Sequence, residues 1–155
     1  MSNRTTDDEY DVDRDVDRNM DPNPYERGKW LSGIIALLGA WLILQTFLFD
    51  MVASQFWNDL IVGALLLGIG GYNYSRQGKD QVGSVGAAAI AALLGLWLIA
   101  APFMFGWDAG ATEAVNPLVF WNDIVVGLIT LGIGAFSAYA ARDQKRKARQ
   151  LGRET

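Results

Sequence analysis

The chain is 155 residues long, carries a formal net charge of −4 and is 51% hydrophobic, and its length corresponds to a single domain. It contains neither cysteine nor histidine, which excludes disulfides, cysteine nucleophiles, thiolate metal sites, haem attachment and histidine proton relays. Because no convergent acid–base pair is evident either, we expect no cofactor, no metal site and no enzymatic activity.

Residues 1–29 form an acidic, polar segment. It contains five basic and nine acidic side chains, whereas residues 30–155 contain eight of each, so the net charge resides here. Low hydrophobicity and high charge predict a disordered cytoplasmic tail. Two interpretations are open: a solvated tail, as in organisms with a very salty cytoplasm, or a docking arm for a basic partner. A cleavable signal peptide is not expected, because the first apolar run is long enough to span the membrane and is not followed by a cleavage site of small residues.

The hydrophobic residues are gathered in four blocks. These blocks are Trp30–Phe49, Leu60–Tyr74, Val82–Phe105 and Ile124–Ala141. The first comprises twenty uncharged residues and the third lies in a run of twenty-six, enough to cross a hydrocarbon layer of about 30 Å as a helix. The second and fourth reach that length when the polar residues before them lie at the membrane surface. Because two-residue alternation is absent, we predict an all-α membrane protein with four transmembrane helices.

The four blocks are one unit of two segments that is written twice. Residues 56–70 and 120–134 share ten of fifteen identities, and both begin with Phe-Trp-Asn-Asp. Upstream, residues 38–49 recur at 94–105, where Leu-Gly, Trp-Leu-Ile and two phenylalanines are repeated. The upstream segments lie 56 residues apart and the downstream segments 64, so the second copy has eight more residues in its connector. We therefore predict one repeat at 30–81, a second repeat at 82–141 and a basic cytoplasmic tail at 142–155.

The positions of Lys and Arg predict the orientation. All thirteen lie in the N-terminal tail, the connector at 75–81 or the C-terminal tail, and the connectors at 50–59 and 106–123 contain none. By the positive-inside rule, both termini are cytoplasmic. Each repeat then crosses the cell membrane outward and returns, which makes the two helical hairpins tandem repeats in parallel orientation.

Small residues predict where the helices touch. On the first and third helices these are Ser32, Ala36 and Gly39, and Ala88, Ala92 and Gly95. On the second and fourth helices they are Gly63, Gly70, Gly127 and Gly134. In lipid, close backbone approach over small residues supplies much of the attraction between helices.

The repeated Trp-Asn-Asp motifs are the best candidates for a functional site. They comprise Trp57, Asn58, Asp59, Trp121, Asn122 and Asp123. One interpretation is structural: Asn and Asp cap the start of a helix, where its dipole favours a carboxylate, and Trp lies in the interfacial aromatic belt. The other interpretation is that the two carboxylates converge near the outer surface and bind a cation. The structural interpretation accounts for all three residue types at once.

Four further residues lie deep in the predicted spans. Trp41 follows Trp30 by about 16 Å along a helix, near mid-bilayer, and Trp97 is its counterpart. The pair either packs between the halves, with each indole N–H bonded to a carbonyl of a neighbouring helix, or lines a pocket for an aromatic, lipid or quinone-like ligand. Gln45 is expected to form interhelical hydrogen bonds, with ligand binding as the alternative. Pro102 is expected to free a backbone carbonyl and bend its helix.

Residues 142–149 form a basic cluster next to the last span. Such a cluster attracts anionic lipid headgroups at about 1 kcal/mol per basic side chain, and less at high salt. The expected partners are therefore the lipid bilayer and either further copies of the chain or another membrane protein. Nucleic acid is not expected, since a stop-transfer flank needs no such partner.

Two patterns carry a family resemblance. Trp97–Phe105 reads W-L-I-A-A-P-F-M-F and Trp121–Gly127 reads W-N-D-I-V-V-G. They resemble the SPW-repeat family of small membrane proteins. The resemblance implies two membrane helices per repeat, a Ser-Pro-Trp motif late in the first helix and a Trp-Asn-Asp-like start to the second. Of Ser-Pro-Trp, the second copy keeps only Pro102, and the first copy has Gln45-Thr46-Phe47 instead. The family implies no activity that could be transferred.

These features predict a structural or interaction protein of the membrane, such as an accessory subunit. The alternative is a small oligomeric transporter or channel. Against this alternative, the predicted spans hold no charged residue away from their ends.

Overall fold

The computed structural model describes residues 24–77, 83–106 and 116–152, and these residues form four α-helices and no strand. Helix α1 spans Pro24–Leu48, α2 spans Ala53–Gln77, α3 spans Val85–Gly106 and α4 spans Pro117–Leu151. The prediction of an all-helical fold is confirmed. The predicted acidic tail up to residue 23, and parts of the connectors after α2 and α3, lie outside the described residues.

The helices extend beyond the predicted spans at both ends of the chain. α1 begins at Pro24 rather than at Trp30, and α4 continues to Leu151, through most of the segment predicted as a basic tail. Proline is favoured in the first turn of a helix because N–H groups there have no acceptor within the helix, so its missing N–H forfeits no helical hydrogen bond. Beyond residue 141 the chain is rich in Lys, Arg and Gln, which are good helix formers, and Lys147 pairs with Asp143 at 3.1 Å. The basic segment is therefore a continuation of α4.

Side-chain caps mark the starts of α3 and α4. The Oγ of Ser84 accepts a hydrogen bond from the backbone N–H of Ala87 at 3.3 Å. The Oδ1 of Asn116 accepts one from the backbone N–H of Leu118 at 3.0 Å, just before Pro117 opens α4. Each cap satisfies an N–H group that has no acceptor within its own helix.

Within each hairpin, the two helices approach over glycine. A Cβ at Gly63 would lie 2.8 Å from the carbonyl oxygen of Gly39, and a Cβ at Gly127 would lie 2.7 Å from that of Gly95. Real Cβ atoms do not approach backbone this closely, so any larger residue would push the helices apart. The corresponding contact is therefore present in both hairpins.

A second glycine contact lies two turns further along each hairpin. A Cβ at Gly70 would lie 2.5 Å from the backbone nitrogen of Ala36, and a Cβ at Gly134 would lie 2.6 Å from that of Ala92. The most extensive helix contacts are those of α1 with α2 and of α3 with α4. The small residues noted in the sequence thus lie where the helices of each hairpin meet.

The four helices alternate in direction, which defines two ends of the bundle. The start of α1 lies beside the end of α2, where Ser32 Oγ donates to Gln77 Oε1 at 3.2 Å. The backbone N–H of Ser84, before α3, donates to Asn73 Oδ1 near the end of α2 at 2.9 Å. We call this the termini end, since α1 starts and α4 finishes there. The opposite end, where each hairpin reverses, is the turn end.

Three helices are long and apolar enough to cross a membrane within the described ranges. The qualifying stretches are Gly28–Leu48, Val85–Met104 and Pro117–Lys147. Helix α2 has 25 residues but carries polar side chains towards both of its ends, which lowers its hydropathy. Large apolar side chains are exposed on all four helices, among them Leu37, Leu65, Leu93 and Leu128. An exterior of this kind is unfavourable in water and is the expected surface towards lipid, so the chain is a membrane protein.

The apolar core lies between the helices and draws on all four of them. Its buried members are Ile35, Leu42, Val62, Leu66, Ala91, Leu98 and Val126. Leu42, Leu66 and Leu98 are completely buried. This packed core separates the polar side chains at the turn end from those at the termini end.

Candidate functional site

Polar side chains from all four helices meet inside the bundle near the turn end. The polar cluster, as we name it, consists of Trp41, Gln45, Asn58, Asp59, Trp97, Asn122 and Asp123. Gln45 lies three residues before the end of α1, about 5 Å along its axis, and Asp59 lies six residues after the start of α2, about 9 Å along. Gln45 and the two aspartates therefore lie within the bundle rather than on its end surface, whereas Trp41 and Trp97 are each 38% exposed on its side.

Gln45 connects the two hairpins. Its Nε2 donates to Asp59 Oδ2 at 2.8 Å and to Asp123 Oδ1 at 3.0 Å, and its Oε1 accepts from Asn122 Nδ2. Gln45 and Asp59 are 0% exposed and Asp123 is 2% exposed. A hydrogen bond to a charged group contributes about 1.5–3 kcal/mol in soluble proteins, although bonds between membrane helices average about 0.6 kcal/mol. One side chain thus bonds to its own hairpin and to the other one.

Two tryptophan–asparagine hydrogen bonds cross between the hairpins in matching fashion. The indole N–H of Trp41 in α1 donates to Asn122 Oδ1 in α4 at 3.2 Å. The indole N–H of Trp97 in α3 donates to Asn58 Oδ1 in α2 at 2.8 Å, and Asn58 donates in turn to Asp59 Oδ1 at 3.1 Å. Since the two tryptophans and the two asparagines are equivalent in the repeat, each repeat donates to the acceptor of the other. The indole N–H groups thus donate to side-chain amide oxygens of the other hairpin, whereas the sequence predicted a helix carbonyl as the acceptor.

The Trp-Asn-Asp motifs do not start their helices, so the prediction that they act as caps is wrong. α2 begins at Ala53 and α4 at Pro117, which makes Asp59 and Asp123 the seventh residue of their helices. The residues before each motif continue the helix for more than a turn, so the N–H groups near the motif already have helical acceptors. The Asn and Asp side chains are free to bond to neighbouring helices instead. Asn116 provides the cap of α4.

Trp57 and Trp121 lie on the outside of the bundle. Their exposed fractions are 59% and 64%. Each ring packs edge-on against the preceding phenylalanine, Phe56 or Phe120, with ring centroids 5.6 Å apart in both cases. Both tryptophans are therefore separate from the polar cluster, in the place expected of an interfacial aromatic residue near the turn end.

Asp59 and Asp123 converge on one nitrogen atom, since both accept from Gln45 Nε2. The Lys and Arg residues in the described part of the chain lie at the termini end. Within the described part, no basic side chain bonds to Asp59 or Asp123. Burying a carboxylate is unfavourable unless it is hydrogen-bonded, and each one here accepts from an amide. Over the same ranges, no group of three or more His, Cys, Asp and Glu residues is placed to hold a metal ion.

The polar cluster satisfies its own hydrogen-bonding groups. Among the described residues, the buried side-chain atoms without a partner are Gln55 Nε2, Arg76 Nε, Thr130 Oγ1 and Ser137 Oγ, and none of them belongs to the cluster. Towards the middle of the bundle, the completely buried Leu42, Leu66 and Leu98 close the space below it. The cluster offers no nucleophile such as Ser, Cys or Lys. The arrangement of its donors and acceptors suits hydrogen bonding between the helices.

Pro102 occupies a buried position in α3, and the helix continues through it to Gly106. Its counterpart in α1 is Thr46, whose hydroxyl donates to the carbonyl oxygen of Ile43 at 2.7 Å. Neither residue joins the polar cluster. At the Ser-Pro-Trp position of the repeat, Gln45 is thus the residue that makes interhelical bonds.

Sequence reasoning missed a smaller polar group at the termini end. There, Ser32 bonds to Gln77, and Asn73 receives the backbone N–H of Ser84. Asn73 follows Asp59 by fourteen residues, which is four helical turns and therefore the same face of α2. That spacing is the signal that could have placed Asn73 inside the bundle.

An exterior that suits lipid, surrounding a hydrogen-bonded polar interior, defines a helical integral membrane protein built from two hairpins. The family model of the SPW repeat domain matches residues 29–139, so the chain belongs to this family, as the resemblance predicted. The matched region contains the whole polar cluster. No curated protein and no solved structure matches the chain.

Proposed function

We propose that this protein is a non-enzymatic structural and interaction protein of the cell membrane, an accessory subunit that offers its outer surface to a partner. The observation that carries the proposal is the mutual hydrogen bonding within the polar cluster. Its buried polar atoms bond to one another, and packed leucines lie directly below it. A site that binds a substrate needs polar groups that are free to meet it. Here those groups hold the two hairpins together instead.

The same proposal includes four membrane crossings with both termini in the cytoplasm. The described basic residues next to the spans, Lys29, Arg76 and Arg142, are all at the termini end, whereas the described turn between α1 and α2 contains Asp50 and no basic residue. This distribution supports the orientation by the positive-inside rule. Lys29 also lies 4.9 Å from the ring centre of Tyr74, as expected for a side chain at the edge of the hydrocarbon layer. The two hairpins are then parallel repeats about an axis normal to the membrane.

The outer face of α2 supports an interaction role. A stripe of small residues runs along it, formed by Ala64, Gly68, Gly71 and Ser75. A Cβ at Gly68 or Gly71 would meet no atom within 4 Å, so another helix could approach the backbone closely here. In α4 the equivalents of Ala64 and Gly71 are the larger Leu128 and Ala135. The stripe is therefore a feature of the first hairpin.

Purification in a gentle detergent, followed by native mass spectrometry, tests this role. We expect a defined complex with a membrane protein partner, and we expect Gly68→Ile to abolish it because the added side chain blocks close approach. The matched control is Gly132→Ile, the equivalent position in α4, which also faces open space. A complex that survives both substitutions, or a protein that remains monomeric, would contradict the interaction role.

A second candidate is a small oligomeric transporter or channel, and the convergence of Asp59 and Asp123 favours it. Two buried carboxylates at one point in a membrane protein are a frequent feature of ion pathways. Flux of Na⁺, K⁺ and protons into proteoliposomes distinguishes the two candidates. The structural role predicts fluxes equal to those of empty liposomes. A flux that is present in the natural protein and absent in folded Asp59→Asn and Asp123→Asn variants would establish the transporter.

A further inference from the structure

Two basic side chains at the termini end of the first hairpin contact tyrosine rings. Arg76 Nη1 donates a hydrogen bond to the hydroxyl oxygen of Tyr72 at 3.1 Å, and its guanidinium carbon lies 5.8 Å from the centre of that ring. Lys29 Nζ lies 4.9 Å from the ring centre of Tyr74. At these distances a cation is attracted to the face of an aromatic ring. The four residues therefore form two similar cation–tyrosine pairs.

The second hairpin has neither of these pairs. At the four equivalent positions it carries apolar residues: Val85, Phe136, Ala138 and Ala140. The glycine contacts between the two helices are nevertheless the same in both hairpins. Packing of a hairpin therefore does not require the cation–tyrosine pairs, and they point to a role beyond it.

Both pairs lie where the apolar part of the first hairpin ends. Lys29 is the last charged residue before the uncharged run 30–49, and Arg76 is the first charged residue after the uncharged run 60–75. Tyr72 and Tyr74 are exposed on the side of the bundle. Exposed tyrosines of membrane proteins concentrate at the level of the lipid headgroups. The two cations are therefore at the level where lipid phosphates lie.

The Arg76–Tyr72 pair has donors that suit a phosphate. The Nε of Arg76 is buried, so the terminal Nη atoms are the ones that an anion can reach. Because the Tyr72 oxygen accepts from Arg76, the hydroxyl hydrogen can point to the same anion. Guanidinium binds phosphate through two parallel N–H groups, and such charge-assisted hydrogen bonds are roughly twice as strong as neutral ones.

The surface next to this pair suits an acyl chain. Ile61 and Leu65 precede Tyr72 by eleven and seven residues, which places them on the same face of α2. Both side chains are exposed. Leu65 lies about 10 Å from Tyr72 along the helix axis, towards the middle of the bundle. A lipid whose phosphate meets Arg76 can therefore lay its chain along this face.

We propose that the Arg76–Tyr72 pair binds the phosphate group of an anionic phospholipid. Lys29 and Tyr74 form a second, weaker site of the same kind, because an ammonium group is a point charge without the fork of a guanidinium. Tyr74 follows Tyr72 by two residues, about 200° around the helix, so the two sites take different lipids. Neither site uses the polar cluster or the stripe of small residues, so the proposal holds or fails independently of the proposed function.

Native mass spectrometry of the delipidated protein in detergent measures the affinity for each added lipid. The probes are phosphatidylglycerol, which is anionic, phosphatidylcholine, in which choline neutralises the phosphate, and inorganic phosphate. We expect phosphatidylglycerol to bind more tightly than phosphatidylcholine. Inorganic phosphate at millimolar concentration should not displace it, because the acyl chains contribute to the affinity of the lipid.

Four variants locate the site. Arg76→Gln should weaken the binding of phosphatidylglycerol about fivefold, which corresponds to about 1 kcal/mol for one basic side chain near lipid. Tyr72→Phe keeps the charge and the ring and should weaken binding about threefold through the lost hydrogen bond. Arg142→Gln is the matched control, since it removes one charge from the same end of the bundle, and it should leave the tightest site unchanged. Phe136→Tyr combined with Ala140→Arg builds the pair into α4 and should add one tightly bound lipid.

An unchanged circular dichroism spectrum verifies that each variant is folded. Equal affinities for phosphatidylglycerol and phosphatidylcholine would overturn the proposal, as would unchanged affinity in Arg76→Gln or Tyr72→Phe. A loss in Arg142→Gln as large as that in Arg76→Gln would also overturn it, because net charge alone would then attract the lipid. Displacement by inorganic phosphate would make free phosphate, and not a lipid, the ligand of this site.

Discussion

The two hairpins share their backbone contacts but differ in the chemistry of their interiors. In the first hairpin, buried polar residues occupy seven positions, and at all of them except Asp59 the second hairpin has a different residue: Ser32, Gln45, Thr46, Gln55, Asn73 and Gln77. The equivalent residues of the second hairpin are Ala88, Ala101, Pro102, Val119, Ser137 and Ala141, of which all but Ser137 are apolar and buried. The second hairpin keeps the buried Asp123 and Thr130, so the same arrangement of helices accommodates a more polar interior in the first hairpin and a more apolar one in the second.

This difference separates two kinds of contact. Contacts within a hairpin depend on glycine, since Gly39 meets Gly63 and Gly95 meets Gly127 in the same way. Contacts between the hairpins combine the apolar core with hydrogen bonds, and the tryptophan and asparagine residues that make the crossed pair of bonds are present in both copies. Two residues have no such counterpart: Gln45 serves the aspartates of both hairpins, and Asn116 Nδ2 donates to the carbonyl oxygen of Asp50 at 2.9 Å.

The largest effect is expected at the glycine contacts. Gly63→Leu and Gly127→Leu should each lower the free energy of unfolding by about 3 kcal/mol or more, because the added side chain meets backbone atoms that cannot move aside. Thermal unfolding in detergent measures this, and the two losses should be similar. Gly68→Leu and Gly132→Leu, which face open space, are the matched controls and should leave stability nearly unchanged. Unchanged stability in both Gly63→Leu and Gly127→Leu would refute the glycine contacts.

The next largest effect is expected at Gln45. Gln45→Ala removes the bonds to both aspartates and should cost about 1–3 kcal/mol. Because Ala101 is the equivalent residue, the exchange Gln45→Ala with Ala101→Gln should recover a large part of the loss from the other side of the cluster. Equilibrium unfolding in mixed micelles gives both values. No recovery in the exchanged protein would mean that the two sides of the cluster are not interchangeable.

A smaller and equal effect is expected for the two tryptophans. Trp41→Phe and Trp97→Phe each remove one indole N–H donor while keeping most of the ring, and should each cost about 0.6 kcal/mol, the average for bonds between membrane helices. Stability in the same micelles measures the pair. A loss at one position only would show that the crossed hydrogen bonds are not equivalent.

The smallest effect is expected at Thr130, which is completely buried and whose hydroxyl has no partner among the described residues. Thr130→Val should raise the free energy of unfolding by up to about 1 kcal/mol, since it removes a polar group that is buried without a bond. Its equivalent is Leu66, and Leu66→Thr should have the opposite sign. A destabilised Thr130→Val protein would indicate that this hydroxyl is in fact bonded.

The helices and their contact faces follow from local sequence features, whereas the polar cluster does not. Uncharged runs and small residues at helical spacing are sufficient to locate α1, α3 and α4 and the positions of Gly63 and Gly127. The repeat shows that Asp59 and Asp123 are equivalent, but equivalence does not determine how far apart they lie. That distance depends on how the hairpins pack. Gln45 is also hard to predict, because its equivalent is an alanine and no repeated pattern points to it.

The cap prediction failed for a related reason. Asn and Asp near the start of an apolar run resemble a helix cap, and the residues before them carry no strong helix signal. In the fold, those residues form the first turn and a half of α2 and α4, which places Asp59 and Asp123 inside the bundle. Tertiary packing thus decides where these two helices begin.

A double-mutant cycle between Gln45 and Asp123 measures the hydrogen bond by which Gln45 joins the first hairpin to the second. The free energy of unfolding is measured for Gln45→Ala, Asp123→Ala, the double variant and the natural protein. A second cycle, between Gln45→Ala and the exposed Leu93→Ala, serves as the control. We expect a coupling of about 1 kcal/mol or more in the first cycle and less than about 0.5 kcal/mol in the second. Additive effects in the first cycle would contradict a structural role for the polar cluster.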